Sequence, residues 1–143
     1  MTTTYPESPG THMIVLPGGG YTAHAPHEAE PVASWLSEIG VQASVFRYPL
    51  NVRHPAPLDA LRAEIRRRRA DGAQRIGLIG FSAGGHLAGL AALAASRVPH
   101  AVHVFAHGPH GLGLAQGAGQ TAIWTTLAEA WIREQVAPPR SSS

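Results

Sequence analysis

The chain has 143 residues, 44% of them apolar, no cysteine and a formal net charge of +2. That length accommodates one domain with one core, and the missing cysteine excludes disulfides, thiolate nucleophiles and sulfur-ligated zinc. No window holds the roughly 18 apolar residues of a membrane span, and the opening residues lack a basic-then-apolar leader, so a cytoplasmic protein without a membrane partner is expected.

In chain order, residues 12–16 (HMIVL) read as a short buried strand that ends abruptly at Pro17, Gly18, Gly19 and Gly20. Val32, Trp35, Leu36 and Ile39 follow at the spacing of a helix face turned to a core, and Gly40 suits the left-handed position after its end. Residues 41–48 (VQASVFRY) are rich in β-branched and aromatic side chains and predict a second strand. Pro49, Pro55 and Pro57 mark a loop. Leu58, Leu61 and Ile65 open a second helix, with Asp59 in its first turn and arginines later, both matched to the helix dipole. Residues 75–79 (RIGLI) form a third strand, and residues 83–96 a third helix striped by Leu87, Leu90 and Leu93. Residues 101–106 (AVHVFA) predict a fourth strand, and a Gly- and His-rich loop leads to a last helix carrying Trp124, Leu127, Trp131 and Ile132 on one face. The domain is expected over residues 1–137, with residues 138–143 as a disordered tail.

Every Lys+Arg position is an arginine, and Arg66, Arg67, Arg68 and Arg69 form one run. No aromatic residue interleaves with the run to stack bases, so it reads as the solvated face of a helix and no nucleic-acid partner is expected. The alternation of strands and helices predicts an α/β three-layer sandwich: a parallel sheet of about four strands with helices on both faces. Sites in such sheets collect at the C-terminal strand ends. Three unusual segments fall there: the Gly18 run, the turn at Ser82 and the loop of residues 107–113.

Gly80-Phe81-Ser82-Ala83-Gly84 lies between an apolar strand and an apolar-striped helix, the context a nucleophile elbow requires. The small residues let the helix pass close to the strand while the turn lifts the serine hydroxyl above the sheet. The competing reading, a phosphate-binding turn, lacks G-x-G-x-x-G after the first strand and lacks G-x-x-x-x-G-K-[ST] anywhere. Beside such an elbow the Gly18 run reads as an oxyanion loop, with the Gly19, Gly20 and Ala83 amides as its donors. A serine nucleophile needs a base that titrates near neutrality, and nine histidines are present. His24 and His27 lie near the glycine run, and His107 and His110 in the loop after the fourth strand. Either pair is also a conceivable metal site, but no carboxylate stands beside them at a metal-motif spacing, so no metal or cofactor is expected.

Taken together, residues 17–21 (PGGGY), 28–33 (EAEPVA), 80–88 (GFSAGGHLA) and 104–115 (VFAHGPHGLGLA), followed by Trp124 and Trp131, resemble the acetylxylan-esterase-like and acetyl-esterase branch of the α/β-hydrolases. The resemblance runs from Met13 to Ile132. It implies an abbreviated α/β-hydrolase fold and a serine esterase of carboxylesterase or acetylesterase type, with Ser82 as nucleophile and His110 as base. By the same resemblance the Gly18 loop and Ala83 form the oxyanion hole. The implied substrate is a small ester with a short acyl group, attacked through an acyl-serine intermediate.

The chain departs from that branch between the elbow helix and the histidine strand. There the branch has further strands and keeps its catalytic aspartate, whereas the only aspartates here, Asp59 and Asp71, precede Ser82. A Ser-His dyad is therefore expected first. Glu28, Glu30 or Asp59 as a substitute acid comes second, and a weak or inactive hydrolase serving as a binding or scaffold protein is the alternative. Losing the orienting acid from a working triad costs on the order of 10⁴-fold in turnover. Tyr21 and Trp124 are candidate pocket walls. A small parallel sheet with bare edges predicts a homodimer or larger homo-oligomer.

Overall fold

The computed structural model describes residues 10–94 and 110–136. Its strands are β1 (Thr11–Leu16), β2 (Gln42–Val45) and β3 (Arg75–Gly80), and its helices are α1 (Glu30–Glu38), α2 (Ala56–Ala70), α3 (Ala83–Ala94) and α4 (Trp124–Val136). Two 3-10 turns, Pro26–Glu28 and Gly119–Ile123, precede α1 and α4. The described strands form one parallel sheet in the order β2-β1-β3. The fourth strand expected at residues 101–106 and the tail at 138–143 lie outside the described residues.

β1 is the central strand, and its side chains alternate between two cores, as the period of two in a strand demands. Met13 and Val15 face a cluster with Val32, Leu36 and Ile39 of the α1 region and Ile132 of α4. Ile14 and Leu16 face the opposite way, against Tyr48, Leu61 of α2 and Leu87 of α3. Helices therefore cover both faces, and the described fold is a three-layer α/β sandwich. Truncating a fully buried member such as Leu36 or Ile14 to alanine removes about 2–5 kcal/mol in comparable cores.

β2 is shorter than the strand expected at residues 41–48. The Phe46 N–H still reaches the Val15 carbonyl at 3.0 Å, but beyond it the chain turns so that Tyr48 points inward. Its hydroxyl donates to the Pro17 carbonyl at 2.5 Å, and burial pushes its pKa up to about 12, which keeps the donor protonated. The arginine run lies on α2. Arg67 and Arg68 both pair with the buried Glu64, at 2.8 Å each, while Arg66 and Arg69 are exposed.

Two histidines tie stability to pH. Burial first, and then a nearby arginine charge (Arg68 for His12, Arg47 for His24), depresses the pKa of both histidines below 6.5. The folded state therefore favours their neutral forms, while the unfolded chain takes up protons first as pH falls. Their contribution is fully present above about pH 6.5 and is lost as pH falls toward the folded values. Urea unfolding of wild type should show a lower midpoint near pH 5 than at pH 7.5. The double variant His12→Gln, His24→Gln should lose less over that interval.

Candidate active site

Strand register sets the site. Leu16 at the end of β1 pairs with Gly80 at the end of β3, and the Phe81 N–H donates to the Leu16 carbonyl at 3.0 Å. The two strands therefore release their loops at the same level, and Gly18 lands beside Ser82. A Cβ added to Gly18 would lie 3.1 Å from Ser82 Cβ and 2.8 Å from the Phe81 carbonyl.

Ser82 adopts a left-handed backbone, φ 52°, a conformation that L-residues rarely hold outside strained functional turns. The neighbouring glycines make it feasible. A Cβ on Gly84 would strike the Leu16 and Pro17 carbonyls, and one on Gly80 would strike the backbone of Gly84 and Gly85. α3 begins at Ala83, directly after Ser82, so the hydroxyl stands at a helix N-terminus.

His110 Nε2 lies 2.8 Å from Ser82 Oγ. Of the histidines named as candidate bases, His110 is the one that meets the serine. His24 Nε2 donates to the Tyr48 carbonyl at 3.0 Å, His27 Nε2 donates to the Gly111 carbonyl at 2.6 Å, and His107 lies outside the described residues. No cluster of three or more His, Cys, Asp or Glu suited to a metal occurs among the described residues.

The glycine loop is tightly wound. The Gly19 carbonyl accepts from the Thr22 and Ala23 N–H groups, both at 3.1 Å, and Gly19 and Gly20 both have positive φ. The Gly18 N–H is committed to the Glu28 carboxylate at 3.0 Å. Among the described residues, the N–H groups of Gly19, Gly20 and Ala83 have no backbone acceptor outside the helices and strands.

The carboxylates named as substitute acids separate in space. Glu28 is buried between the glycine loop and the histidine loop, Glu30 pairs with Arg47 at the surface, and Asp59 lies 3.9 Å from Arg62 on α2. Among the described residues, none of them bonds to the His110 ring. The Tyr21 hydroxyl and His86 Nδ1 share a hydrogen bond at 2.6 Å, so Tyr21 braces the glycine loop against α3. His54 packs edge-on to both rings. Trp124 packs edge-on against Trp35 and Phe81 and donates its indole N–H to the Gly113 carbonyl at 3.0 Å. The Tyr21–His86 bond joins residues 65 apart, and sequence spacing gave no signal for it. A surface hollow of about 620 Å³ lies at the opposite, N-terminal end of the strands, around His12, Gln42, Arg68 and Asp71, away from Ser82.

This architecture is that of the α/β-hydrolases, in a shortened form. The chain is similar to an acetyl ester-xyloside bifunctional hydrolase from Caldicellulosiruptor lactoaceticus, with a TM-score of 0.77 and 26% identity over 94% of this chain and 85% of that one. It also superimposes on MGS-M1, an α/β hydrolase enzyme from a Medee basin deep-sea metagenome library, with a TM-score of 0.71 and 20% identity over 88% of this chain and 84% of that one. In sequence, 88 residues are 31% identical to endo-1,4-beta-xylanase B of Butyrivibrio fibrisolvens, a match over 54% of this chain and only 14% of the xylanase. No protein-family model matches the chain. The likeness to acetyl-esterase-type α/β-hydrolases read from the sequence is thus present in the three-dimensional neighbours, which support a hydrolase. Among the described residues no helix is long and apolar enough to cross a membrane.

Proposed function

We propose that the protein hydrolyses short-chain, acetyl-type carboxylic esters through an acyl-Ser82 intermediate. The observation that carries this reading is the 2.8 Å contact between Ser82 Oγ and His110 Nε2 on a left-handed elbow at a helix N-terminus. In the first step Ser82 Oγ bonds to the ester carbonyl carbon while His110 Nε2 takes the hydroxyl proton. The carbonyl oxygen becomes an oxyanion, received by the Gly19, Gly20 and Ala83 amides. Collapse breaks the bond to the alcohol, and His110 returns the proton to the leaving oxygen. Water, deprotonated by the same ring, then attacks the acyl-serine and releases the acid.

Ser82 and His110 are both exposed, which suits small acyl groups reached from solvent. The name of the Caldicellulosiruptor lactoaceticus neighbour supports an acetyl ester as the substrate class. Among the described residues Glu28, Glu30 and Asp59 make no bond to the His110 ring. This supports a Ser-His dyad over a substitute acid, and it is also the observation that favours the second reading, a scaffold of low turnover. Steady-state hydrolysis of p-nitrophenyl acetate decides between them. The esterase reading expects wild type to exceed Ser82→Ala by at least ~10³-fold in kcat/KM. Equal rates for the two proteins would favour the scaffold.

A further inference from the structure

We infer that Glu28 is a positioning residue that clamps the oxyanion loop to the loop carrying His110; this rests on the esterase reading of the site. Glu28 is only 3% exposed, at the end of the 3-10 turn that leads into α1. A carboxylate so deeply buried is costly unless each oxygen is engaged. Oε2 accepts the Gly18 N–H at 3.0 Å. Oε1 lies 3.4 Å from His27 Nε2 and faces Gly111, where an added Cβ would come within 3.6 Å of it. His27 Nε2 in turn donates to the Gly111 carbonyl at 2.6 Å. One side chain and its sequence neighbour therefore hold both loops that meet at Ser82, without bonding to Ser82 or to the His110 ring.

The bond to Gly18 has a directional consequence. Gly18 directly precedes the two loop amides left to receive an oxyanion, and its own N–H is turned to Glu28, away from that task. Fixing this peptide fixes where the Gly19 and Gly20 N–H groups point. Losing one oxyanion donor costs roughly 10²–10³-fold in kcat, and a displacement of about 1 Å costs about 10²-fold. Sequence position alone suggested Glu28 as a replacement acid; its contacts make it an acceptor for a backbone donor.

The test is p-nitrophenyl acetate kinetics on wild type, Ser82→Ala, Glu28→Gln and Glu28→Ala, with thermal unfolding of each. Glutamine retains an oxygen for the Gly18 N–H and lacks the charge. The clamp predicts kcat within about 10-fold of wild type for Glu28→Gln. It predicts a fall of roughly 100-fold for Glu28→Ala with KM within about threefold, because loop amides act on the transition state. An active wild type with Glu28→Ala unchanged overturns the clamp and leaves the esterase reading standing. A 100-fold loss in Glu28→Gln also overturns it, since charge and not loop position would then be the function; this variant decides alone should Glu28→Ala fail to fold. A wild type no faster than Ser82→Ala removes the esterase reading, and the clamp falls with it.

Discussion

Replacing His110 by alanine should lower kcat for p-nitrophenyl acetate by about 10³-fold or more, with little change in the unfolding midpoint. The ring is exposed and its bond to Ser82 Oγ, at 2.8 Å, contributes little to the core, so stability and turnover separate. Without the imidazole, the Ser82 hydroxyl keeps its ordinary acidity and almost none of it is deprotonated at neutral pH. Removing the base of a serine hydrolase eliminates nearly the whole contribution of the nucleophile, leaving what the oxyanion donors and binding supply. If the Ser-His pair works as a unit, the double variant Ser82→Ala, His110→Ala should be no slower than either single one. An additive loss would mean that the two side chains act separately.

Gly84→Ala should do the reverse and damage the fold first. Its added Cβ would meet the Leu16 carbonyl, and the Pro17 carbonyl at 2.8 Å, both backbone atoms of the central strand and its exit. Neither can rotate away as a side chain would. α3 must move off β1, opening the contact between Leu87 and the core formed by Ile14 and Leu16. Overpacking of this kind costs up to about 3 kcal/mol, or roughly 10 °C in Tm for a chain of this size. Activity should fall with it, because the same shift carries Ser82 away from His110. Gly89→Ala is the control: it lies on the same helix with open space around it, and it should stabilise slightly through helix propensity. Calorimetry of the two variants beside wild type checks both expectations.

The elbow and the glycine loop were legible in the sequence because each is a local pattern. A strand, a strained turn made of small residues and a helix follow one another over residues 75–94, and the structure places them so. The apolar run of residues 12–16 likewise marked β1 as a buried strand, and α1, α2, α3 and α4 all occur where apolar periodicity put them; which of its side chains faces which core came only from the packing. What depends on distant residues was not legible. Glu28 sits in a polar-looking segment, and nothing local reveals that it is buried against Gly18. The shortening of β2 follows from Tyr48 turning inward to Pro17, 31 positions away, which propensity cannot register. Nothing local singles out His86, yet its ring shares a hydrogen bond with the Tyr21 hydroxyl of the glycine loop.

The central claim is that Ser82 is an activated nucleophile, and covalent labelling tests it most directly. Wild type treated with a fluorophosphonate should gain the mass of one adduct, on the tryptic peptide of residues 76–97 that contains Ser82. Labelling should vanish in Ser82→Ala and slow markedly in His110→Ala. An unlabelled wild type, or an adduct on any residue other than Ser82, would contradict the account.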